Sequence, residues 1–186
     1  MQSATVKNNT NFKIPAKQFT VWVFMVSVVM LFAGLTSAYI VRKAEGNWMT
    51  ITMPSQFQAS LVVVLLSTVT MGFAQYFAKL QKRGIVQILT ALTLVGGLAF
   101  TALQLLGWEY LTQNGIYLVG NASAGFLYVI SGLHLLHLLG GIVVLLVVMV
   151  QLFDKNFNNS KLNSAAIYWH FVGILWLYLY LFLQNV

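Results

Sequence analysis

From Leu111 to Phe153 the chain carries no Asp, Glu, Lys or Arg. A bilayer core is crossed by about 20 apolar helical residues, and this run is long enough to do so. It also holds two of the protein's three histidines, His134 and His137, in the segment SGLHLLHLLGG, Ser131 to Gly141. Residues three apart on a helix are neighbours on its surface. Extending the stripe gives Tyr128, Ser131, His134, His137 and Gly141. Polar groups in hydrocarbon are costly unless they find partners. One narrow polar side of this helix is therefore expected to face other protein, and its Leu and Val to face lipid.

Hydrophobic residues make up 59% of the chain and charged residues only 7%, against about a quarter in soluble domains. An all-α integral membrane bundle is the expected fold. There is no cysteine, so disulfides, thiolate metal sites and cysteine nucleophiles are excluded. The formal net charge is +7, but the cations sit in short loops between apolar spans. Membrane topology explains them better than nucleic acid does. Residues 1–19 form a polar segment without the pattern of a cleaved signal peptide.

Five spans are expected within residues 20–186: Thr20–Val41, Phe57–Ala78, Gly84–Trp108, Ala122–Phe153 and Ala165–Leu183. The fourth would extend ~48 Å against a hydrocarbon core of ~30 Å, so it must tilt or protrude. Asp154–Lys161 is read as a polar loop. Eight cations, Lys7, Lys13, Lys17, Lys79, Lys82, Arg83, Lys155 and Lys161, fall on one side of the five spans, and Arg42 and Lys43 on the other. The positive-inside rule then places the N-terminus in the cytoplasm and the C-terminus outside.

Few residues are equipped for chemistry. The three acids, Glu45, Glu109 and Asp154, are all expected in loops, so no buried carboxylate relay is available. No glycine-rich phosphate loop or hydrolase serine elbow is present. The histidines are the serious candidates. As axial ligands of a b-type heme they fit poorly. His170 is expected ~8 Å and His137 ~24 Å inside the cytoplasmic ends of their spans, too far apart in depth to share one iron. His134 and His137, on one helix, cannot take opposite faces of a heme. Each histidine is better read as bonded to a neighbouring helix or a lipid head group. Trp169 and the other aromatics of span five are expected to pack and to anchor at the interface. Gly34, Gly96, Gly97, Gly140 and Gly141 are expected at helix contacts, and Trp48 and Trp108 at the external interface.

Gly132–Gly141 resembles the G-x-H-x-x-H-x-x-x-G signature of subunit III of heme–copper terminal oxidases. Tyr168-Trp169-His170-Phe171-Val172, followed by Trp176-Leu177-Tyr178-Leu179-Tyr180, resembles that family's final helix. Ser27–Tyr39 resembles its S-E-x-x-x-F-x-x-x-F-x-x-x-Y helix, and Gln104, Glu109-Tyr110 and Gly115-x-Tyr117 its Q…EY…G-x-Y region. The likeness covers nearly the whole chain from span one. Many members have seven helices, and this chain resembles the five-helix form that lacks the first two, which normally make one arm of a lipid-holding cleft. Val28 and Gly173 stand where the family has a glutamate and an aspartate, so no role of those carboxylates carries over.

The resemblance implies a non-catalytic subunit of a proton-pumping respiratory oxidase of the cytochrome c oxidase type, in the bacterial cytoplasmic membrane. Hemes and copper would belong to subunits I and II, and this chain would hold no cofactor beyond bound phospholipid. It would pack against subunit I, with subunit II, a subunit IV and a respiratory supercomplex as further neighbours. Tyr128, Ser131, His134, His137, Trp169 and His170 are then structural, as polar anchors or lipid contacts. Two competing readings are a di-histidine b-heme anchor of a dehydrogenase, and a small transporter. The transporter is disfavoured because no expected span carries a charge.

Overall fold

The computed structural model describes residues 16–153 and 159–185. Five helices follow one another: α1 (Ala16–Ala44), α2 (Ser55–Lys79), α3 (Arg83–Gln113), α4 (Ala122–Gln151) and α5 (Asn159–Asn185). Each is long and apolar enough to cross a membrane, and no strand occurs among the described residues.

The expected spans are all present, and the helices outrun most of them. A membrane helix does not stop where its apolar stretch stops, because polar residues continue the backbone ladder into the head-group layer. α1 begins at Ala16, inside the stretch read as a polar segment. α5 begins at Asn159 rather than Ala165, so part of the expected loop is helical. α3 runs on to Gln113, which makes Glu109 helical rather than a loop residue. Its carboxylate is exposed and accepts a hydrogen bond from Gln113 Nε2 at 3.2 Å. Lys7, Lys13, Asp154 and Lys155 lie outside the described residues.

α2 and α3 form a tight antiparallel hairpin. α2 buries Phe57, Ser60, Val64, Ser67, Met71, Ala74 and Ala78, in alternating steps of three and four. α3 buries Val86, Thr90, Thr93, Gly97, Phe100, Gln104, Gly107 and Leu111 in the same rhythm. This is the heptad seam of left-handed helix packing, built here with small and hydroxyl-bearing residues that let membrane helices approach closely. A Cβ on Gly96 would stand 2.8 Å from Ser67 Cβ, and one on Gly107 would stand 2.8 Å from the Phe57 ring. The hydroxyls of Thr70 and Thr93 meet across the seam at 2.8 Å, and Gln104 Nε2 donates to Ser60 Oγ at 2.9 Å. The outer faces show Val62, Leu66 and Val69 on α2 and Ile88, Leu92 and Val95 on α3, as a lipid-facing surface requires.

α5 packs against α2 and α4, α4 packs also against α3, and α1 touches only α4 and α5. Sequence neighbours α1 and α2 are therefore not spatial neighbours. The loop between them is tied to α4 instead. Asn121, the N-cap of α4, accepts from Ser123 N and donates to Asn47 O, and Ser123 Oγ donates to Met49 O at 2.7 Å. Trp48 lies edge-on to Tyr39 at 4.6 Å between centroids.

Candidate functional site

The polar residues of α4 do not form one narrow stripe. A step of three residues turns a helix by about 300°, so each falls about 60° behind the last. Tyr128, Ser131, His134 and His137 consequently wind about halfway round, and each meets different neighbours. Tyr128 donates to Ile116 O at 2.9 Å. Ser131 accepts from Trp108 Nε1 at 3.1 Å and donates to Leu127 O at 2.7 Å. His134 reaches α5, where its Nε2 lies 3.1 Å from Val172 O. His137 turns towards α1, with its ring 5.7 Å from Phe32 and 6.2 Å from Phe24. Each of these residues meets protein, in directions spread about halfway round α4.

A carbonyl oxygen can only accept, so these bonds fix two tautomers. His134 carries its proton on Nε2 to bond Val172 O. His137 carries its proton on Nδ1 to bond Leu133 O at 2.7 Å. The two imidazoles of one motif are thus held in opposite forms. The third, His170, faces α2, with Nε2 3.2 Å from Gln75 Oε1. Gln75 in turn donates to Asn163 Oδ1 at 2.8 Å.

These directions, rather than depth, keep the histidines from acting together. Because α5 starts at Asn159, His170 is ~16 Å from that end of its helix, and His137 is ~21 Å from the Gln151 end of α4. The expected gap in depth largely closes. The rings of His134, His137 and His170 nevertheless turn to α5, α1 and α2 in that order, so no pair of them makes the axial set of a b-type heme. Among the described residues, no three His, Asp or Glu side chains gather where they could hold a metal.

Trp169 is the hub between helices. It is 1% exposed, and its Nε1 donates to Ser67 Oγ on α2 at 3.2 Å. A Cβ on Gly97 of α3 would come within 2.7 Å of its ring, and one on Gly141 of α4 within 3.3 Å. Tyr168, one residue back, donates to His137 O at 2.9 Å. The glycines expected at contacts therefore divide. Gly96, Gly97 and Gly141 are pressed against neighbours, whereas Gly34 and Gly140 have open space where a side chain would go. At Gly173, where the resemblance places an aspartate, a Cβ would meet Thr68 Oγ1 at 2.5 Å. α2 occupies the room that carboxylate would need. At the other departure, Val28 is 3% exposed and belongs to the core.

A second feature was not read from the sequence. Between α1, α4 and the first turns of α5 runs an open groove of about 750 Å³. Phe24, Gly140, Val144 and Val147 line its length, and Gln151, Ser164 and Lys161 stand at one end. It is a long apolar trough with a polar, cationic mouth. Gly140 keeps the trough open because no side chain projects there. Helical spacing alone could not reveal it, because it depends on α1 crossing to α4 instead of pairing with α2.

Comparison with known proteins identifies the scaffold. The family model described as cytochrome c oxidase subunit III matches residues 2–185. The chain is 23% identical over 167 residues to a probable quinol oxidase subunit 3 of Staphylococcus saprophyticus, covering 86% of this chain and 83% of that one. It is 24% identical over 169 residues to a protein of the same description from Staphylococcus aureus, with the same coverage. Five membrane-crossing helices and these bacterial relatives make it a multi-pass protein of the bacterial cytoplasmic membrane. The chain belongs to the cytochrome c oxidase subunit III family, as a non-catalytic subunit of a heme–copper terminal oxidase.

Proposed function

We propose that this subunit supports subunit I in two ways, by presenting a rigid helix-packed face and by keeping phospholipid at its side. The groove between α1, α4 and α5 carries this reading. Its apolar length suits acyl chains, and the Lys161 ammonium at its mouth suits a lipid phosphate. On the orientation given by the basic loops, that mouth lies on the cytoplasmic side, where the N-terminus also lies. Residues 1–19 are then a polar cytoplasmic segment whose end, from Ala16 on, is already the first turn of α1. Tyr128, Ser131, His134, His137, Trp169 and His170 act as satisfied polar anchors, holding the groove's walls in register.

Electrons and oxygen are handled by the hemes and copper of subunits I and II. This chain contributes sustained turnover during aerobic electron transport and proton translocation. Subunit I is the direct neighbour, with subunit II, a subunit IV and supercomplex partners around it. The donor to such an oxidase is set by the other subunits. The motif resemblance is shared by cytochrome c and quinol oxidases, and the Staphylococcus relatives are named as quinol oxidase subunits. Oxygen uptake driven by each donor separates the two. The experiment for the main reading is native mass spectrometry of the oxidase released gently from its own membrane. The expected species contains this chain, subunit I and at least one phospholipid that leaves together with this chain. A chain released alone and lipid-free counts against it.

A further inference from the structure

Three buried polar atoms, one each on α4, α5 and α3, lack a hydrogen-bond partner: His134 Nδ1, Trp176 Nε1 and Gln104 Oε1. All three residues are fully buried. The His134 and Trp176 rings lie 4.7 Å apart between centroids. Phe100 stands edge-on to both, at 5.5 and 5.3 Å. Gln104 is one helical turn beyond Phe100 on α3. It is held against Ser60 of α2, itself one turn beyond Phe57, whose ring stacks on Trp176 at 6.1 Å.

The chemistry of the three atoms is complementary to one small molecule. His134 donates through Nε2 to Val172 O, so Nδ1 presents a bare lone pair. Gln104 uses its amide NH₂ on Ser60, so Oε1 is left to accept. Trp176 Nε1–H can only donate. Two acceptors and one donor match a water molecule that gives both its protons and receives one. Buried waters typically make about three such bonds, to polar groups that would otherwise go unpaired. We infer that one ordered water between α3, α4 and α5 donates to His134 Nδ1 and Gln104 Oε1 and accepts from Trp176 Nε1. It joins α3, α4 and α5 at a point where no direct side-chain bond does. This follows from the chain's interior alone and stands or falls apart from the lipid groove.

A map of the intact oxidase complex, at a resolution that resolves ordered waters, tests it. The expected result is one peak within about 2.7–3.2 Å of all three atoms. No peak there, or a rotated Trp176 bonded directly to His134 Nδ1 or Gln104 Oε1, overturns the inference. In a second map, of Trp176→Phe, the lost donor should abolish the peak or weaken it severalfold. A peak unchanged in that variant contradicts the three-partner arrangement. If the variant fails to assemble, the first map decides alone.

Discussion

The two sides of this bundle are built from different materials. The side where α2, α3 and α5 meet sets small and polar residues among large aromatic rings, and its helices touch at Gly96–Ser67, Gly97–Trp169, Gly107–Phe57 and Gly173–Thr68. The side where the first turns of α1 face α4 and the start of α5 is lined mainly with Val and stands open. In a soluble protein the apolar side would be the tightly packed one. Within a membrane, lipid is as apolar as Val, so apolar surface gives helices no reason to close together. Close approach and hydrogen bonds hold the first side; the second is the side we propose for lipid.

Substitutions that break this contrast should rank accordingly. Gly97→Leu forces a side chain into the Trp169 ring and Ile142. Overpacking of this kind costs about 1–3 kcal/mol or more, and at a three-helix junction the expected outcome is little or no assembled subunit, read from the amount recovered with the oxidase. His134→Leu comes next. It removes the bond to Val172 O and costs about 1–3 kcal/mol. Assembly or lipid retention should weaken while the heme spectrum of the complex stays unchanged; loss of a heme band would contradict the anchor role.

Gly140→Leu should do the reverse. Its side chain meets nothing of this chain, so thermal stability should move by no more than about 0.5 kcal/mol. The groove would be plugged, and lipid counted by mass spectrometry should fall. Unchanged lipid in this variant would remove the groove from the account. The smallest effect is expected from Lys161→Gln, which gives up about 1 kcal/mol of attraction to an anionic head group. It should lower retention of anionic lipid alone, as a lipid-exchange titration would show.

The sequence made the helices legible, because a span without charge has one physical reading in a bilayer. It also made the tight side partly legible. Gly96-Gly97 announced a close contact, and the seven-residue recurrence of Ser60, Ser67 and Ala74 on α2 and of Thr90, Gly97 and Gln104 on α3 was there to be found. Helix ends were less legible: polar residues such as Ser160 and Lys161 belong to α5 although nothing apolar marks them. The groove and the partners of His134, Trp169 and Trp176 were not legible. They depend on which helices become neighbours, and α1 passes over its sequence neighbour α2 to reach α4. Tyr128, Ser131, His134 and His137 could be recognised as polar residues needing partners, but not assigned to Ile116, Trp108, Val172 and Leu133.

The central claim is that this chain holds the oxidase together without holding any of its redox centres. Stripping the subunit from the purified complex, then recording the visible spectrum and metal content of both fractions, tests it most directly. The account predicts that all heme absorption and all copper stay with the remaining complex, while phospholipid leaves with this chain. A Soret band or bound iron or copper in the released chain would contradict it.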